Sequence, residues 1–137
     1  LEEGIQISRQ VGMSFVGPRL LGTLSICSEK RDVQRAVLEE GSKILRSGCH
    51  AHNQLWFLRD AIESTLISDE RELVMEYSGW LEKITETEPL PWSNYFIERA
   101  RAIVRHRQDP KDRVSIASLT QLTKLAKKVG FAAHSMS

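Results

Sequence analysis

Trp56-Phe57-Leu58-Arg59-Asp60-Ala61 and Tyr95-Phe96-Ile97-Glu98-Arg99-Ala100 follow one pattern, 39 residues apart. Each opens on two aromatic residues, continues through an aliphatic residue and two charged ones, and closes on alanine. Carried back another 39 positions, Ala61 falls on Gly22. A small residue at one recurrent position lets two helices approach closely, so the column Gly22, Ala61, Ala100 predicts a helix crossing in every unit. A second echo precedes each of these runs. Leu1-Glu2-Glu3-Gly4 returns 37 residues later as Leu38-Glu39-Glu40-Gly41, with Ile7 on Ile44; a further 37 gives Met75-Glu76-Tyr77-Ser78 and then Leu81. Two echoes of nearly equal period describe a pair of helices used three times.

The intervening sequence supports helices throughout. Val33, Val37, Gly41 and Ile44 form one apolar stripe at helical spacing, Leu55, Leu58, Ile62 and Leu66 another, and Leu119, Leu122, Ala126 and Val129 a last one. No run alternates in the manner of a strand, and no Asn-Gly or Asp-Gly joins apolar runs. Asp69 and Glu72 have capping-box spacing, Pro91 and Pro110 suit first helical turns, and Gly48 and Gly130 follow basic stretches where helices end. The reading is an all-α fold of three antiparallel helical hairpins, at 1–29, 32–68 and 70–107, with a capping helix at 112–129 whose outer face is polar. The repeat exceeds the roughly 34 residues of a tetratricopeptide unit and lacks its full consensus, so the term is a tetratricopeptide-like solenoid. A closed helical bundle is the structural alternative. The domain is set at residues 1–131, with 132–137 a ragged tail.

With 137 residues, 41% hydrophobic and 27% charged, the chain has the length and composition of one water-soluble domain. Cys27 and Cys49 are too few for a disulfide scaffold and have no CxxC spacing, which favours a reducing compartment and a cytoplasmic location. The least polar stretch, Val11 to Cys27, carries Pro18 and Arg19 at its centre, against both a membrane span and a signal peptide. The opening at Leu1 without methionine suggests a fragment of a longer protein.

The net charge of +1 conceals an uneven distribution. Residues 1–98 hold 10 basic and 16 acidic side chains, while the remainder holds 9 basic against Asp109 and Asp112 alone. The basic 99–128 region could attract nucleic acid or another polyanion. Its arginines and lysines also sit at helical spacing, so the favoured reading is a solvated face that pairs with the acidic body, and nucleic acid is not the expected partner.

Candidate chemistry is sparse. Cys49, His50 and His52 are possible ligands within four residues, but His106 and His134 make no second pair with them, and zinc needs four ligands. A nucleophilic Cys49 would need a thiolate-stabilising neighbour and an oxyanion site. The stretch reads as a turn, with Gly48 closing one helix and His52 or Asn53 capping the next. Glu39, Glu40, Glu70 and Glu72 have no apolar surroundings to shift their acidity. Neither GxxxxGK[ST] nor GxGxxG occurs. No catalytic residue, metal or cofactor is expected. Glu88-Pro89-Leu90-Pro91-Trp92 is a stiff link, and its tryptophan is either a wedge against a neighbouring helix or a binding anchor.

Four stretches carry a resemblance: Gly12-Met13-Ser14-Phe15-Val16-Gly17-Pro18-Arg19-Leu20-Leu21-Gly22, His52 to Glu63, Glu88 to Ser93, and Arg99-Ala100-Arg101-Ala102. They resemble the extreme C-terminal part of large bacterial signalling proteins that join a class III adenylate or guanylate cyclase domain to an AAA-type ATPase module and a tail of tetratricopeptide-like repeats. The likeness runs from about residue 1 to 107 and more weakly to Phe131. It implies a non-catalytic, cytoplasmic regulatory segment that contacts a protein or peptide, including upstream domains of its own polypeptide. The candidate contact residues are His52, Trp56, Arg59, Trp92 and Arg99.

Overall fold

A computed structural model describes residues 1–49 and 51–130; His50, Phe131 and the expected tail 132–137 lie outside the described residues. The described residues form seven helices: α1 (Glu2–Val11), α2 (Gly17–Cys27), α3 (Arg31–Ser47), α4 (Ala51–Ile67), α5 (Arg71–Ile84), α6 (Pro91–Gln108) and α7 (Arg113–Val129). No strand occurs among them. The fold is all-α, and its hairpins stack in the solenoid-like order that the two sequence echoes predict.

The second helix of each hairpin forms the inner layer. α2 packs along α4 and α4 along α6, whereas α1, α3 and α5 do not approach one another through their backbones. Side chains bridge that wider spacing in a repeated manner: Arg9 of α1 pairs with Glu40 of α3 at 2.6 Å, and 37 residues on, Arg46 of α3 reaches Glu76 of α5 at 3.7 Å. These exposed pairs stabilise little by themselves. The core lies in the inner layer, where Phe57, Leu58, Ala61, Ile62, Phe96 and Ala100 are buried together with Leu21.

Small residues set these approaches. Gly22 of α2 faces Asp60 and the Phe57 backbone of α4, and a β-carbon at Gly22 would stand 3.0 Å from the Asp60 Cβ. Gly41 of α3 is tighter still, because the Phe57 ring lies where its side chain would be, 2.1 Å from an ideal Cβ. At Gly41 the Leu-Glu-Glu-Gly echo therefore serves packing, with glycine leaving room for an aromatic ring from the following helix, whereas a Cβ at Gly4 would meet only Leu20, at 3.7 Å.

Several local signals resolve differently from the sequence reading. α5 starts from Glu70 without a side-chain cap, and Asp69 adopts a positive φ and binds Arg71 and Arg107 instead of capping. Pro110 lies in the turn before α7, which Asp112 caps by accepting hydrogen bonds from the Val114 and Ser115 amides. His52 and Asn53 are inside α4, and the Asn53 carboxamide donates to the Phe15 carbonyl of the α1–α2 loop. Pro91 and Gly130 behave as expected, the first opening α6 and the second closing α7 in a left-handed conformation. The outer face of α7 is less polar than expected, since Val114, Ile116, Leu125 and Val129 are all exposed.

Candidate functional site

Because α2, α4 and α6 run in the same direction, their N-terminal turns gather at one edge of the inner layer. Pro91 fixes the start of α6 straight after the extended Leu90, which aims Trp92 across at α4. There the Trp92 and Trp56 rings meet edge to face, with centroids 5.6 Å apart, and Trp92 also tilts onto Phe96 at 5.1 Å. Leu55, Trp56, Leu90, Pro91 and Trp92 line a shallow, almost wholly apolar groove of about 310 Å³.

Two guanidiniums flank this groove. Arg59, one turn beyond Trp56, stands 4.7 Å from its ring centroid, and Arg19 of α2 stands 5.4 Å from the same ring. Both distances are within cation–π range. Arg59 also donates to the Asp60 carboxylate through Nε at 2.7 Å. Arg19 is exposed, with no ion pair to a described residue, and so offers its charge at the groove edge. The exposed ring of Phe15, in the α1–α2 loop, and the exposed His52, in the first turn of α4, lie at the same edge.

Beneath the rings runs a buried ionic layer. Asp60 is almost fully enclosed and receives the Arg59 guanidinium and, at 3.4 Å, the Thr23 hydroxyl of α2. Burial pushes its carboxyl above the usual range, and the nearby Arg59 positive charge opposes that rise only in part. Glu63, one turn on, binds Arg99 of α6 at 2.7 Å; burial raises its carboxyl too, against the pull of Arg99. These pairs tie α2 to α4 and α4 to α6 at fixed rotation, which holds the tryptophans above them in place.

Of the five residues expected to contact a partner, Trp56, Arg59 and Trp92 come together at the groove and His52 lies one turn from it. Arg99 does not join them: only 4% of its side chain is exposed, and it is engaged by Glu63. Arg19, Leu55 and Leu90 belong to the site and escaped the sequence reading. Arg59 was among the candidate contact residues, whereas Arg19 reaches that ring only through the rotational setting of α2 against α4. Trp92 is wedge and groove wall at once.

The other chemistry is thin. Burial pushes the Cys49 thiol up, away from the thiolate that a nucleophile needs. Among the described residues, no group of three His, Cys, Asp or Glu side chains is placed to hold a metal ion. No helix among them is long and apolar enough to cross a membrane. No family model, curated protein or solved structure matches the chain.

Proposed function

We propose that this chain is a non-catalytic helical-repeat module that binds a segment of protein or peptide along the Trp56–Trp92 groove. The observation that carries the reading is the groove itself: an apolar floor of two tryptophans and a proline, rimmed by the exposed guanidinium of Arg19 and the Arg59 cation. Such a surface suits an apolar anchor residue followed by a carboxylate. Aromatic and arginine side chains supply most of the binding energy in small interfaces, which favours this edge over the rest of the surface. Following the resemblance of the sequence, the module is a cytoplasmic regulatory tail of a bacterial cyclase and ATPase signalling protein, and its partner is an upstream region of the same polypeptide.

The polyanion reading has less support. Arg99, Arg101, Arg105 and Arg107 are paired with Glu63, Glu82, Asp112 and Asp69, so much of the basic 99–128 stretch is neutralised within the fold.

Arg19→Glu tests the groove. Arg19 is exposed but lies over Trp56 and near the buried Asp60, so the substitution should lower stability by about 1 kcal/mol and leave the chain folded. Calorimetric titration with the upstream region of the parent polypeptide should show affinity weakened by at least ~10-fold, or ~1.4 kcal/mol. Unaltered affinity would remove this edge from the binding surface.

A further inference from the structure

Among the described residues, the stacking rule that builds the molecule also leaves one position unfilled. α4 lies in the trough formed by α2 and α3, and α6 lies in the trough formed by α4 and α5. The next trough in this series, between α6 and α7, is an open groove of about 510 Å³. Its floor is Ala102, Val114, Leu122 and Leu125, with Glu98 and Gln121 on the rim.

The correspondence extends to single residues. Sliding α5 onto α7 by 41 positions places Ser115 on Val74, Ser118 on Tyr77, Leu122 on Leu81 and Ala126 on Thr85. It also places Val114 and Leu125 on Leu73 and Ile84, which pack against the core. On α7 the same two positions are 56% and 43% exposed. α7 thus carries the residues that would receive a following inner-layer helix, and no described residue covers them.

We infer that the α6–α7 groove is a docking site for an amphipathic helix of a partner polypeptide, seated as α6 is seated on α4 and α5. The chemistry of that helix follows from the two helices that fill the preceding troughs. Each crosses its neighbours at a small residue, Ala61 in α4 and Ala100 in α6, with large apolar side chains one turn before it, Phe57 and Leu58 in α4 and Phe96 and Ile97 in α6. Charge adds a second requirement. Arg101 and Arg105 on the rim are already paired with Glu82 and Asp112, whereas Glu98 is exposed with no ion pair to a described residue. The docked helix therefore carries a basic side chain toward Glu98, which stands one turn before Ala102, the counterpart in the 39-residue register of the Glu63 that receives Arg99. This site is separate from the Trp56–Trp92 groove and does not depend on it.

The probe is a fluorescein-labelled synthetic peptide with the sequence of residues 91–108, the helix that fills the preceding trough. Titrated with the full chain, it should give a saturable rise in anisotropy. Leu125→Asp and Val114→Asp both alter exposed positions, and each should weaken binding at least tenfold without moving the unfolding midpoint. A peptide with Arg in place of Ala100 should not bind. Absence of saturable binding to the full chain, or binding unchanged in both variants, overturns the inference. Two further outcomes also overturn it by assigning another occupant. One is a concentration-dependent dimer that Leu125→Asp abolishes; the other is peptide binding that appears only after Phe131 and Met136 are both changed to Asp.

Discussion

Arg99→Met is expected to destabilise the fold by about 3 to 5 kcal/mol at neutral pH, because it leaves the Glu63 carboxylate enclosed without its counter-charge. The loss should depend on pH in a defined direction. Glu63 already sits above the ordinary carboxylate range, chiefly through burial, and removing Arg99 raises it further. A carboxyl with a raised value in the folded state takes up its proton there first. Stability then increases as pH falls through the folded value and levels off below the unfolded one. Urea midpoints should therefore show the deficit of Arg99→Met in full at neutral pH and shrinking in mild acid. Adding Glu63→Gln should recover most of it. A deficit independent of pH, or no recovery in the double variant, would mean that Arg99 serves as packing and not as counter-charge.

Trp92→Ala is the second large effect. Its indole is half-buried, so truncation should cost about 2 to 3 kcal/mol, below the ~3 to 5 of a fully enclosed aromatic. The substitution removes the packing of this indole on Phe96 and Trp56, which anchors the start of α6 against α4. It also takes one wall from the groove, so under the proposed function the same variant should bind the proposed upstream partner region more weakly. Denaturant unfolding and calorimetry on one preparation measure both effects. A change in stability below about 0.5 kcal/mol would show that the ring stack does not hold this corner.

The sequence carried the architecture in its spacing. Helical periodicity needs only apolar residues at the right intervals, and the column Gly22, Ala61, Ala100 marked the crossings because backbone proximity tolerates little else. Capping was less legible, since Asp69, Asn53 and Pro110 each have local signals that tertiary partners or the neighbouring turn override. Asp69 is drawn to Arg107 of α6, and Asn53 to the Phe15 carbonyl. The site was legible in part for a related reason. Trp56, Arg59 and Trp92 stand out by residue type, but the place of Arg19 and the burial of Asp60, Glu63 and Arg99 follow from how three helices are rotated against one another. A lone arginine in a sequence reads as surface, and Arg99 is held inside by Glu63 on the neighbouring helix.

The three tryptophans provide the most direct test of the groove. Trp56 and Trp92 line it, whereas Trp80 lies on α5 beside Arg46, in a separate surface hollow with Leu45, Glu76 and Lys83. The measurement is the indole Nε1–H resonances of the nitrogen-labelled chain during titration with the upstream region proposed as its partner. Groove binding predicts progressive shifts or broadening for Trp56 and Trp92 with Trp80 unmoved. Shifts confined to Trp80, or saturable binding with all three resonances unchanged, would contradict it.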